Sequence, residues 1–217
     1  MPVLTSAAAD PSRPGYRLLY IDKGRFASLA DADLIPLALV VGTELAGSVL
    51  DRLQILADVE AAYRAALRAQ ARRPHARRDL RRRLIQKQHP PAAVDAALGR
   101  LDERGLLDDR RFAEHFAATR AARGRGPARL VTDLLRQGVD RRVAEESVQA
   151  SLAAEDLDPE RLVRRVATRR AGQLSGLPVA VRRRRLILYL ARRGYDGSWV
   201  RQVVDEVVGS SDYIPSS

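Results

Sequence analysis

Cysteine is absent from the 217-residue chain, which excludes disulfides, thiol nucleophiles and Cys-ligated zinc or iron–sulfur centres. No run approaches the roughly 18 uncharged apolar residues of a membrane-spanning helix. The opening MPVLTSAAADPSRPGY lacks the basic region and apolar stretch of a secretory signal, so a cytoplasmic, reducing location is expected. Aromatic residues make up only 5%, too few for base stacking to be the main mode of nucleic-acid binding. Lysine is nearly missing as well: all but Lys23 and Lys87 of the 38 Lys+Arg are arginine. Guanidinium forks match phosphate and carboxylate oxygens in pairs, while a GC-rich coding bias gives the same ratio without function.

What the chain does have is charge in blocks. The formal net charge is +11. Residues 64–89 hold 10 cations and one acid (Asp79), and residues 158–193 hold 11 cations and two acids. The intervening 90–157, with 11 cations and 12 acids, is close to neutral, as is 1–57. Two concentrated basic blocks are the electrostatic footprint expected for a polyanion, a nucleic acid or a protein coated with one. Hydrophobic content of 46% argues against wholesale disorder.

The pattern along the chain changes near residue 57. Residues 1–14 are expected to be disordered. Residues 15–57 read as a small β-rich unit, a hairpin of 16–22 and 25–30 turning at Lys23-Gly24, with 33–41 (DLIPLALVV) open between strand and helix. From Asp58 on, helices follow one another, punctuated by HisProPro at 89–91, Gly124 and Gly126, Gly138, Asp158-Pro159, Pro178 and Gly194. Asp108 and Asp140 are candidate N-caps. RRDLRRRLIQKQ, PARLVTDLLRQG and RRRRLILYLARRG each place leucines four apart before a stop. The pairs are Leu80/Leu84, Leu130/Leu134 and Leu186/Leu190, with Gly138 and Gly194 as stops. This predicts a mainly α fold of three tandem three-helix repeats (58–105, 106–156 and 157–209), in an elongated curved array, with a tail at 210–217.

Four arginine groups are candidates for DNA or filament contact. Arg77, Arg78, Arg81 and Arg82 form a ridge beside Leu80/Leu84, with only Asp79 nearby; the alternative is a solubilising face. Arg120, Arg123, Arg125 and Arg129 flank a Gly-Arg-Gly break, which either lets backbone N–H groups approach an anion or simply ends a helix. Arg164, Arg165 and Arg169 follow on a third helix. Arg182, Arg183 and Arg185 belong to a run that spreads charge around its helix. Phe112 and Phe116, at i, i+4 beside alanines, read as core rather than stacking residues, and Trp199 as packing. His75, His89 and His115 are scattered, so no metal site is expected. The carboxylate pairs at 102/103 and 108/109 read as helix-end residues. No phosphate loop, cofactor motif or catalytic constellation is found, which points away from an enzyme.

The segment LLDDRRFAEHFAATR (Leu106 to Arg120), continued by RGRGPARLVTDLLRQGV to Val139, resembles the RecX family of recombinase regulators. Asp109, Phe112 and Ala113 match the family's D-x-x-F-A start, and Leu130, Leu134 and Gly138 its L-x-x-x-L-x-x-x-G helix. AAYRAALRAQARRPHARRDLRRRLIQKQ and LARRGYDGSWVRQVV resemble its opening helices and its last repeat, and the N-terminal unit resembles a β-rich extension of some members. The first repeat departs from the family at its second helix stop, with Gln88-His89-Pro90 in place of Lys-Gly. The resemblance implies three three-helix repeats and a monomeric, non-enzymatic regulator without cofactor or membrane. It also implies binding to the RecA–DNA filament, with single- and double-stranded DNA as partners, and restraint of its ATPase, strand-exchange and coprotease activities. The residues alone leave two other readings open: a sequence-specific duplex-binding regulator of helix-turn-helix type, and a coat for anionic membrane, which the narrow apolar stripes disfavour.

Overall fold

The computed structural model describes residues 1–154 and 158–210. Its first elements are three antiparallel strands in the order β1 (Leu4–Ala9), β2 (Tyr16–Ile21) and β3 (Gly24–Ala30). The expected hairpin is therefore two-thirds of a sheet, and the stretch expected to be disordered supplies β1. Leu4 is fully buried, and the main chain around β1 bonds to Thr43 and Gly42 as well as to β2. LTSAAA escapes a sequence reading because alanine and threonine give no apolar/polar contrast. The β2–β3 turn is made by Asp22 and Lys23, both at positive φ (49° and 63°). Gly24 is already paired with Ile21. This is the two-residue primed turn whose twist suits a hairpin.

After β3, the ambiguous apolar run resolves into a one-turn helix α1 (Asp31–Leu34) and a 3₁₀ turn at Ile35–Leu37. A 26-residue helix α2 (Gly47–Arg72) follows, so the expected boundary at 57/58 falls inside one continuous helix. That helix serves two cores. Its N-terminal half brings Leu53 onto Leu4, Leu19, Leu29, Leu34 and Leu45. Its second half joins α3 (Arg77–Gln86) and α4 (Pro91–Glu103) around Tyr63, Leu80, Leu84, Val94, Leu98 and Leu101. Each fully buried leucine of this kind contributes roughly 1.5–3 kcal/mol. Buried Glu60 on α2 ties the parts together by accepting from Arg13 (2.5 Å) in the β1–β2 loop and Arg100 (3.2 Å) on α4.

The chain divides into two compact units, Met1–His75 with Asp79–Leu107, and Ala76–Arg78 with the described residues from Asp108 onward. The second unit holds α5 (Asp109–Ala121), α6 (Pro127–Gln137), α7 (Arg141–Ala154), α8 (Pro159–Gly172), α9 (Val179–Arg192) and α10 (Ser198–Ser210). Asp108 caps α5 by accepting from the Arg111 N–H at 2.9 Å, and Asp140 does the same for Arg142 at 2.9 Å before α7. Repeats two and three share one core, which runs through Phe116, Leu130, Leu134, Val148, Leu186, Leu190 and Val204. Phe112 packs on its edge with its ring centroid 5.9 Å from that of Phe116, and Trp199 packs there too. The expected boundary at 156/157 and residues 211–217 of the expected tail 210–217 lie outside the described residues, while Ser210 ends α10.

Candidate functional site

The site grows from two helix ends in the second unit. The α5–α6 connection is Ala122–Gly126, and α9 ends at Arg193-Gly194. Gly194 turns at φ 85°, and the Gly126 N–H donates to the Arg193 carbonyl at 2.7 Å. The two backbones lie so close that a Cβ on Gly126 would sit 2.4 Å from the Gly194 oxygen, and one on Gly194 would sit 2.3 Å from the Arg129 nitrogen. Glycine is required at both positions, by close packing at Gly126 and by close packing together with the positive φ at Gly194. The same arrangement recurs one step earlier. Gly138 turns at φ 89° at the end of α6, and its Cβ would meet that of Arg78 at 2.4 Å.

This junction frames a groove of about 790 Å³, lined on one wall by Arg123, Arg125, Ala128, Arg129 and Thr132 and on the other by Ala191 to Gly194 and Asp196. A second concavity of about 530 Å³ shares Arg123 and Arg193 with it and adds Arg165, Arg169 and Tyr189. The two form a continuous positive band. Arg193 is its internal strut, donating through Nη1 to the Gly124 carbonyl (3.0 Å) and the Arg123 carbonyl (3.3 Å), with its guanidinium 4.8 Å from the Tyr189 ring centre. A third concavity, sharing Ala128, Gly194 and Asp196 with the groove, is rimmed by Asp158 and Glu160, so the positive band ends abruptly there. Tyr195, which lines this third concavity, is buried, and burial pushes its phenol up to about 12.

The chain's own acids organise this charge without cancelling it. Half-buried Arg125 and Arg129 (3.1 Å) and exposed Arg136 (4.0 Å) all converge on the Asp133 carboxylate, which itself is only 11% exposed. One carboxylate against three guanidiniums leaves a strong positive surplus. Arg123 and Arg169 are exposed and pair with no carboxylate among the described residues; the same holds for Arg192, which the sequence reading missed. Its signal was the basic pair before the glycine stop. Arg165 reaches the Ala122 carbonyl at 3.4 Å, and the Arg120 guanidinium lies over Phe116 at 3.7 Å.

Other candidates are engaged elsewhere. Arg182 is 3% exposed and cannot meet a ligand at the surface. It stands at i−4 from Leu186 and i−8 from Leu190, so the inward stripe of α9 carries it into the core. Arg183 forms a bidentate pair with Asp205 of α10 (2.5 and 2.9 Å), while Arg185 is exposed. Arg164 bridges Glu206 (2.6 Å) and Glu160 (3.1 Å). On α3, Arg81 grips Asp95 in two bonds (2.6 and 2.9 Å) and Arg82 holds Asp79 at 2.5 Å. Arg78 is exposed, and the Arg77 N–H donates to Asp109 at 2.8 Å. The predicted ridge on α3 is thus partly spent on its own acids.

Three family models match the chain: the first three-helix domain of RecX at residues 62–101, the second at 108–148 and the third at 158–204. A regulatory protein RecX from Halorhodospira halophila is 39% identical over 143 residues, 65% of this chain and 85% of that one. The chain belongs to the RecX family. A RecX regulatory protein from Chlorobium phaeobacteroides is 30% identical over 70% of this chain and 97% of its own. A crystal structure of regulatory protein RecX aligns with a TM-score of 0.74 at 20% identity over 95% of this chain and all of the other. One from Lactobacillus salivarius aligns at 0.58 and 19% identity over 72% of this chain and 98% of its own. In RecX terms, the groove joins the second domain, which carries Arg123, Arg125 and Arg129, to the third, which carries Arg165, Arg169, Arg192 and Arg193. No helix among the described residues is long and apolar enough to cross a membrane.

Proposed function

We propose that the protein regulates a RecA-type recombinase without catalysis of its own, by seating the arginine groove of repeats two and three on the nucleoprotein filament. The observation that carries this is the continuous band from Arg129 through Arg123 and Arg193 to Arg169, in which Arg125 and Arg129 share the one Asp133 carboxylate and Asp196 is the single acid of the lining. Guanidiniums held on rigid helix ends suit the phosphates of filament DNA and the carboxylates of the protein coat. Each phosphate contact releases counterions, so binding weakens with salt. Contacts along a repeated array act together on neighbouring protomers, and the linkage raises affinity beyond any single contact. Occupancy then blocks duplex entry or biases the filament toward disassembly, lowering ATP hydrolysis, strand exchange and coprotease action.

The test adds the protein to purified RecA on single-stranded DNA with ATP. Hydrolysis falls at stoichiometric ratios, and an unchanged rate overturns the reading. Replacing Arg123, Arg169 and Arg192 by Gln weakens the inhibition and lowers the log–log salt slope of filament binding by about 2, at about 0.7 per contact on a single strand. A sequence-specific duplex regulator would instead bind its site tightly without any recombinase.

A further inference from the structure

The first basic block, residues 64–89, is not absorbed by the groove just described. Within the first unit, the end of α2 and the length of α3 enclose a concavity of about 490 Å³ whose charged lining is Arg68, Arg72, Arg73, Arg83 and Lys87. No carboxylate lines it. The nearest, Asp79, has a side chain only 1% exposed and is already committed. It faces His75 Nδ1 at 2.8 Å and accepts from Arg82 at 2.5 Å and from Arg83 at 2.8 Å. Arg68, Arg72, Arg73 and Lys87 are all exposed and meet no carboxylate among the described residues. The concavity is also rigidly built. The Gln70 side chain accepts from the His75 N–H (2.9 Å) and donates to the His75 carbonyl (3.3 Å), clamping the α2–α3 turn.

Complementing the helix C-terminal dipoles accounts for Arg72 and Lys87, at the ends of α2 and α3. It does not account for Arg68, more than a turn back from the end of α2, or for four cations facing one hollow. Like charges gathered this way repel, and an external anion relieves them. Among the described residues, none of the exposed large apolar side chains falls between residues 64 and 89, so this surface has no wedge to enter a lipid layer. Five cations lining one hollow, four of them meeting no carboxylate among the described residues, exceed what a small anion needs and match a polymer of phosphates.

We propose that this hollow is a phosphate-binding locus of repeat one that seats the sugar–phosphate backbone of a nucleic-acid strand. It requires no recombinase, so its failure and that of the filament reading are separable. The test uses the full chain and a mixed-sequence single-stranded oligonucleotide, followed by fluorescence anisotropy across a salt series. Arg68, Arg72, Arg73 and Lys87 are changed together to Gln, which keeps the stems and leaves helicity intact by circular dichroism. A charge-matched control changes Arg141, Arg142, Arg161 and Arg201 to Gln. The pocket variant loses at least tenfold in affinity, and its log–log salt slope falls by about 3, four contacts at about 0.7 each. Arg72→Gln alone gives a smaller loss in the same direction, and the oligonucleotide slows amide exchange over residues 68–88 in the unaltered protein. Equal losses in the pocket variant and the control overturn the proposal, because net charge alone is then responsible. Protection of residues 68–88 by pyrophosphate but not by the oligonucleotide overturns it too, by assigning the hollow to a small anion.

Discussion

At the scale of single residues, the departures from glycine are as informative as the glycines. Gln88, just past the end of α3, adopts φ 65°, the left-handed conformation that costs an L-residue roughly 1–2 kcal/mol. It holds because the His89 N–H returns to the Leu84 carbonyl at 3.2 Å and Pro91 opens the next helix. Gln88→Gly therefore stabilises the chain by about 1 kcal/mol, read from the midpoint of urea unfolding at unchanged slope. The leucine pairs of α3, α6 and α9, the glycine stop at Gly138 and the aspartate cap at 108 were all legible in the sequence, because each rests on spacing or on one side chain's local chemistry. The partners of the arginines were not. Asp95 lies 14 residues from Arg81 and Asp205 lies 22 from Arg183. Only tertiary packing brings them together, and only the phase of α9 turns Arg182 inward beside its exposed neighbours.

At the scale of elements, one carboxylate fastens the β1–β2 loop onto the N-terminal sheet. Asp10 accepts from the Ser28 hydroxyl (2.6 Å), the Ser12 hydroxyl (2.7 Å) and the Ser12 N–H (2.9 Å), joining the β1–β2 loop to β3. The Ser28 bond, with help from Ser12, lowers its pKa from 3.8 to about 2. A depressed carboxylate stabilises the fold above its unfolded pKa, and that stabilisation is lost as protons return. Hydrogen exchange in β1 and β3 thus accelerates as pH falls from 3.8 toward 2, after correction for the intrinsic rate. In Asp10→Asn that acid step is missing, and a step of equal size in the variant refutes the assignment. The strand β1 itself illustrates what patterning misses: its register is held by main-chain bonds and one buried leucine, which a window of alanines does not advertise.

At the scale of the whole molecule, the three-helix period emerged from the sequence because it repeats, and the groove did not because two repeats together make it. Gly126 is its keystone. In Gly126→Ala the new methyl meets the Gly194 carbonyl, and the forced backbone shift costs roughly 1–3 kcal/mol. Because the shift parts the walls that carry Arg129 and Arg193, filament inhibition falls as well, whereas alanine at Gly99, where nothing lies within 4 Å, leaves it unchanged. Equal inhibition by both variants would show that the spacing of the walls is immaterial.

The seams at Gly138 and Gly194 are built where a bare glycine presses on the start of an earlier helix, with a main-chain bond securing the second. Contacts of that kind are indifferent to most of the surrounding side chains. Substitutions can accumulate on the helices of repeats two and three without altering how these two are set against each other, provided the hydrogen atoms of Gly126 and Gly194 are kept. A pair of repeats assembled in this way is free to change its surface chemistry while keeping its spacing.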